Sequence, residues 1–234
     1  MNYIILNGVK STTVNGLLIQ SLPPIVKPPV RTQVEEIAGR DGDIVTVLGY
    51  GAYDKQVSIA LYHDFDVDEV IAYFAQPSGT VIFSNEPDKV YQYQITQQIS
   101  FERLVIFRTA EVVLHVQPFK RSAVEKTRSF TVSTDGSINV YNFGNTPSKP
   151  KYTLFGSGMV VLALNGIEML RIELEPDDWI TIDCESDNAH RDGMFRNRFC
   201  TGDYQNLSLP VGKNTLSWTG SLTRIDVDDY SRWI

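Results

Sequence analysis

VRTQVEEIAGRDGDIVTVLGYGAYDKQVSIAL, residues 30–61, decides how this chain is read. Two β-like runs, Val30–Ile37 and Val57–Leu61, flank a segment rich in glycine and charge. That segment holds Gly39, Arg40, Asp41, Gly42, Asp43, Gly49 and Gly51, with a short apolar run of Ile44, Val45, Val47 and Leu48 inside it. Glycine lets the backbone turn where a side chain would clash. Apolar residues on a loop need a surface to cover, and a loop does not supply one. Two readings are open: an arm that lies on a neighbouring subunit, or a hairpin folded onto its own domain. On the first, Gly39, Arg40, Asp41, Gly42, Ile44, Val45, Val47 and Leu48 are the interface residues.

Upstream, Tyr3–Leu6 reads as a short strand and Asn7-Gly8 as a tight turn. Leu17–Ile19 is a second apolar run. SLPPIVKPPV follows, with four prolines from Pro23 to Pro29. Proline lacks the amide donor, so this is an extended connector that delivers the chain to the arm.

Downstream, Asp66–Gln76 reads as a helix. Asp66 stands at the cap and Glu69 three residues later. Val67, Val70, Ile71 and Phe74 recur at the helical period and define one apolar face. Strands are expected after it at Thr80–Ser84, Val90–Ser100 and Arg103–Val116. The last two, separated by Phe101-Glu102, read as a long hairpin. Tyr91, Tyr93 and Ile95 alternate with Gln92, Gln94 and Thr96, the pattern of a half-buried strand.

QPFKRSAVEKTR, residues 117–128, shifts in composition and marks a domain boundary, placing domains at 1–122 and 123–234. The second half reads as short strands punctuated by turns. Phe130–Val132 and Ile138–Val140 flank an Asp135-Gly136 hairpin signal, and Asn142–Pro150 is a loop. Tyr152–Phe155 follows, and Val160–Leu164 and Ile167–Leu174 flank Asn165-Gly166. Asp177-Asp178 reads as a turn before Trp179–Cys184. Thr215–Thr219 and Leu222–Val227 close the chain. Regular short strands argue for a β-sandwich or jelly roll.

Composition limits the function. The 234 residues are 42% hydrophobic and 21% charged, ordinary values for a globular chain of one or two domains. A net charge of −7 argues against wrapping nucleic acid, which needs a basic footprint. No apolar run is long enough to span a membrane, and the N-terminus does not read as a signal peptide, so cytoplasmic synthesis is expected. In that setting Cys184 and Cys200 are expected as free, buried thiols.

Motifs for chemistry fail on inspection. Asp64, Asp66 and Asp68 match the first ligand positions of a calcium loop, but Glu69 and Ala75 stand where its glycine and bidentate glutamate belong. Cys184, His190 and Cys200 match no zinc spacing. Gly156-Ser157-Gly158 is not a nucleophile elbow. His115 lies in an apolar strand, and Glu173 and Glu175 read as a solvated strand face. No enzyme activity, cofactor or metal is expected. Among three tryptophans, Trp179 and Trp218 suit a core, whereas Trp233 suits surface or partner contact.

The order of parts resembles a known family. LNGVKSTTVNGLLIQSLPPI precedes VEEIAGRDGD, YDKQVSIAL, the helix DVDEVIAYF, the strand GTVIFSNEPDKVYQYQI and VQPFK. YNFGNTPSKPKYTLFGSG, WITIDCES, GDYQNLSLPVGKNTLSWTG and RIDVDDYSRWI then follow. Together they resemble the distal tail protein (Dit) family of siphophages and prophages. The resemblance implies a mainly β chain: an N-terminal tail-tube-like β-sandwich with one helix and a hairpin arm, at about residues 30–57, then a C-terminal galectin-like β-sandwich. It implies a hexameric homo-oligomer, a ring at the virion tail tip. Its partners would be the tail tube protein, a hub or tail-lysin protein and a receptor-binding protein, with DNA passing the bore unbound and no membrane contact. An alternative role is a tail-associated carbohydrate-binding module.

Overall fold

The computed structural model describes residues 1–124, 127–228 and 231–234. The chain is mainly β and divides into two units, Met1–Ala123 with Ile234, and Val124–Trp233. The first unit contains β1 (Ile4–Leu6), β2 (Val9–Lys10), β3 (Leu17–Ser21), β4 (Val30–Glu36), β5 (Asp43–Tyr50) and β6 (Tyr53–Leu61). Helix α1 (Val67–Tyr73), β7 (Ser78–Phe83), β8 (Lys89–Gln94), helix α2 (Phe101–Phe107), β9 (Thr109–Val116) and β10 (Lys120–Ser122) complete it.

Its main sheet runs in the order β2-β1-β7-β8-β9-β6-β3, with β10 beside β8. Period-two alternation places Ala110, Val112, Leu114 and Val116 of β9 in the core. Val57 and Ile59 of β6, Tyr91 and Tyr93 of β8, and Ile4 and Phe83 meet them there. In α1, Asp66 Oδ1 accepts from the Asp68 and Glu69 amides at 2.9 and 3.3 Å, as its cap position requires. Glu69 does not close a reciprocal capping box but accepts from the Asn15 amide at 3.3 Å. Val70 and Phe74 are buried; Ile71, assigned to the same face, is exposed.

Two expectations for this unit are overturned. The anticipated Val90–Ser100/Arg103–Val116 hairpin is interrupted by α2, and β9 starts only at Thr109. Ser100 caps that second helix, its Oγ accepting from the Arg103 amide at 3.3 Å. Leu104 and Ile106 mimic strand alternation, but only Leu104 is buried. The apolar run around Ile44, expected on a loop, is instead a full strand, β5, paired with β4 along its length.

The second unit contains β11 (Thr127–Thr131), β12 (Gly136–Asn142), β13 (Lys151–Leu164), β14 (Ile167–Asp183) and β15 (Asn188–Arg191). β16 (Met194–Phe195), β17 (Cys200–Gly202) and β18 (Gly212–Asp228) follow. Three of these strands are long, where the sequence suggested pairs of short ones. β13, β14 and β18 each run through a residue set that reads as a break: Gly156–Met159, Pro176–Asp178 and Thr219–Ser221. These sets are neighbours. Gly156 pairs with Asp178 and with Leu222, and Val161 with Thr219. Register shifts fall between Gly156 and Gly158 on one side and between Ser157 and Val161 on the other. A bulge bends its strand without ending it, so these shifts form one crease across three strands.

On one side of the crease lie β12, the first half of β18, and β17; on the other lie β11, β15 and β16. Both halves contribute to one core, with Leu162, Leu170, Ile172 and Leu216 from the first and Tyr152, Leu154, Ile182 and Ile225 from the second. The sheet is thus folded over on itself. Phe130–Val132 and Ile138–Val140 do not form the expected hairpin. β11 and β12 lie end to end along β18 instead, because β18 is long enough to pair with both. Asp177-Asp178 is likewise no turn; it lies inside β14 at the crease. Asn165-Gly166 does turn β13 into β14. Cys184 and Cys200 are free thiols, the first buried and the second half-buried. Burial raises the titration of both.

The crease depends on close backbone approach. A Cβ on Gly156 would lie 2.2 Å from the Ser221 carbonyl oxygen. Gly156→Ala is expected to destabilise the protein by ~1–3 kcal/mol, as other overpacking changes do. Denaturant unfolding measures this, and unchanged stability would show that the crease can open without loss.

Candidate functional site

β4 and β5 form a two-stranded sheet of their own, apart from both larger sheets. Among residues 30–50 none is buried. The hairpin turns through Gly39 and Gly42, both at positive φ (84° and 76°), with the Arg40 amide donating to the Ile37 carbonyl at 3.1 Å. A Cβ on Gly42 would meet nothing within 4 Å, so glycine is needed there for backbone conformation and not for space.

The pairing register sorts the side chains. Val34 pairs with Val45, Thr32 with Val47 and Glu36 with Asp43. Directly paired residues share a face, and so do residues two apart, so Val34, Val45 and Val47 form one apolar stripe ending in two acids. Ile44 pairs with Glu35 and faces the other way. Leu48 is the extra residue of a bulge, between the pairs Arg31–Gly49 and Thr32–Val47. The four apolar residues read as one contact set are therefore split. Val45 and Val47 belong to the stripe, Ile44 does not, and Val34 joins it, which only the strand register reveals. Val45 is 57% and Val47 67% exposed.

The base of the arm is fixed. The Gly51 amide donates to the Pro29 carbonyl at 2.8 Å, and Tyr50 meets Phe119 edge to face. The proline connector is held at two further points. Asn85 Nδ2 donates to the Pro23 carbonyl at 3.0 Å and Lys55 Nζ to the Pro24 carbonyl at 2.9 Å. Lys55 is almost fully buried, with its ammonium 5.0–5.6 Å from the ring centroids of Tyr91, Phe83 and Tyr53. Aromatic faces at this distance favour a cation. Beside this cage Glu86 accepts from Lys120 Nζ at 2.9 Å and from the Tyr91 hydroxyl. Burial pushes the Lys55 ammonium down to about 8, Glu86 opposes this and Lys120 adds to it. No sequence motif announces this cluster, because its members come from four separate segments.

Other residues singled out above are scattered. His115 Nδ1 lies 2.7 Å from Asp54 Oδ1 on the surface of the first unit. Asp64 and Asp68 flank the α1 cap. Among the described residues, no group of three or more His, Cys, Asp or Glu side chains is placed to hold a metal ion. No helix among the described residues is long and apolar enough to cross a membrane. Trp218 is buried and donates from Nε1 to the Ser133 carbonyl at 3.1 Å; Trp233 is half-buried. Trp179 is half-buried in a cross-strand stack beside the crease. Arg224 lies 3.7 Å over the Phe155 centroid, Phe155 stacks with Trp179 at 6.3 Å, and Arg191 lies 5.8 Å over Trp179.

The fold of this chain, two mainly β units, is similar to those of solved phage hub and baseplate proteins. Its fold is that of the Dit protein (gp 19.1) of phage SPP1, described as a paradigm of the hub adsorption apparatus in phages infecting Gram-positive bacteria. The similarity covers 97% of this chain and 98% of that one, with a TM-score of 0.68 at 15% identity. A chain of the phage P2 baseplate, in its activated conformation with Ca, is similar over the full length of both chains, with a TM-score of 0.51 at 7% identity. No protein-family model and no curated protein sequence matches.

The Lys55 site predicts a pH dependence. An unfolded lysine titrates near ~10.4, whereas folded Lys55 does so at about 8. Between these values the unfolded chain holds a proton that the folded chain has lost, so this group makes stability rise with pH. Lys55→Met removes that contribution. The stability difference, wild type minus variant, should grow from about pH 8 to about pH 10 by at most ~1.4 kcal/mol per unit. Parallel stability curves for the two proteins would refute the assignment.

Proposed function

We propose that this chain is a structural component of a phage tail tip, and that its copies close into a ring, most simply a hexamer. The observation that carries this reading is the free arm. Its valine stripe is uncovered among the described residues, and an isolated two-stranded hairpin is only marginally stable in water. Head-to-tail contacts between copies give a ring when the rotation closes. In this reading residues 1–122 form the ring, residues 123–234 are a galectin-like domain, and the assembly anchors receptor-binding or tail-lysin components. The ring joins the tail tube to the hub. Its role is non-enzymatic, and the net charge of −7 suits a bore that passes DNA without retaining it.

Carbohydrate binding finds less support. Sugar-stacking platforms need an open aromatic face, and in the Arg224–Phe155–Trp179–Arg191 stack the ring faces are turned to one another and to arginines.

Burying a valine-sized side chain contributes roughly 1.5–3 kcal/mol, and each ring contact repeats the loss. Val45→Ser/Val47→Ser is expected to dissociate the oligomer, while the subunit keeps its circular dichroism and melting temperature. Light scattering and thermal melts on the same variant check this. A ring that persists with a destabilised subunit would count against the proposal.

A further inference from the structure

The first unit carries a second uncovered apolar surface, on α2. This helix buries only Leu104, and Ile106 and Phe107 are 63% and 67% exposed. Arg103, Ile106 and Phe107 stand at i, i+3 and i+4, so they share one face. A seven-residue helix does not hold such a face in water by its own propensity; here the Ser100 cap and Leu104 hold it.

The position of α2 relative to the arm is set by β6. The arm enters β6 at Tyr53, and the far end of β6 meets the end of α2, where the Leu61 amide donates to the Arg108 carbonyl at 3.0 Å. Nine residues at ~3.3 Å each put these ends about 26 Å apart. One end of the strand thus bears a stripe with nothing under it, and the other end bears a helix with nothing over it. Two different patches at opposite ends of one unit are what a head-to-tail contact uses.

Charge matches the two surfaces. On the arm, Glu36 and Asp43 are directly opposite each other at the end of the valine stripe. Like charges in that position repel, and a cation placed against them removes the repulsion. Arg103 supplies one beside Ile106 and Phe107.

We infer that the Val34–Val45–Val47 stripe of one copy covers the Ile106–Phe107 face of α2 in the next copy, with Glu36 and Asp43 against Arg103. The inference rests on the ring reading and names the surface that the arm clasps. Its test is a cysteine pair, Val45→Cys with Phe107→Cys, at two exposed positions whose replacement leaves the core intact. After mild oxidation, denaturing non-reducing electrophoresis should show a ladder of linked subunits that climbs to the ring's mass. Neither single variant nor the parent chain, which keeps Cys184 and Cys200, should give it. Rings of the right mass without a ladder would overturn this inference and leave the ring reading standing. A monomer with both new thiols consumed would mean that the arm folds back on its own helix, and would overturn both. Monomers with free thiols would also overturn both.

Discussion

A two-stranded hairpin has no interior. Each side chain on it faces outward on one side or the other, so apolar residues there are covered from elsewhere or stay wet. Much of the first unit is arranged to present the arm under that constraint. The prolines from Pro23 to Pro29 remove competing strand partners before it starts. Lys55 and Asn85 bind the connector to the sheet, and Tyr50 against Phe119 anchors the other end. The connector and the base of the arm are thereby tied to the main sheet, while its strands and turn form a separate sheet. If the arm docks on a neighbouring copy, as proposed, a rigid base matters, because disorder in the free state is lost on binding and weakens it.

In the second unit the same economy appears as a crease. Three long strands bend together, so the sandwich is built without separate connections at that edge. Main-chain pairing continues on both sides of the bend, and Gly156 and Gly220 allow the close approach; a Cβ on Gly220 would lie 2.3 Å from the Met159 carbonyl oxygen. The arginine–aromatic stack lies beside this line and ties β18, β13, β14 and β15 across the outer face. Cation–π and stacking contacts of this kind each add a modest increment, but here they reinforce the strands where pairing shifts register.

Parts of this architecture are legible in the chain itself. Tyr91 and Tyr93 alternate with glutamines and are buried as alternation requires. Asp66 caps α1, and Asn165-Gly166 makes its turn. The misreadings share a physical cause: local signals do not report what a strand pairs with. Gly156, Gly158 and Gly220 look like strand ends but lie at register shifts inside long strands. Leu104 and Ile106 alternate like a strand, yet a capped short helix packs only one of them. Within the arm, glycine and charge mark the hairpin, but the face of each residue depends on register. Nothing in the sequence therefore marks Val34 as part of the stripe, or sets Ile44 on the face opposite Val45 and Val47. The Lys55 cage is a product of tertiary structure, since the same residues dispersed in sequence carry no pattern.

The hairpin has another property besides its valines. As a sheet of only two strands it leaves both outer edges with unpaired amides and carbonyls. Such edges can recruit any extended chain, and β-branched residues such as Val34, Val45 and Val47 favour that state. In the proposed ring, a subunit that had not yet found its neighbours would be a template for misassembly. Arg31, Glu35, Glu36, Arg40, Asp41 and Asp43 crowd the same hairpin, and repulsion between like-charged arms discourages them from pairing edge to edge. The charges would act as guards for as long as the arm stays uncovered, when it is at its most promiscuous.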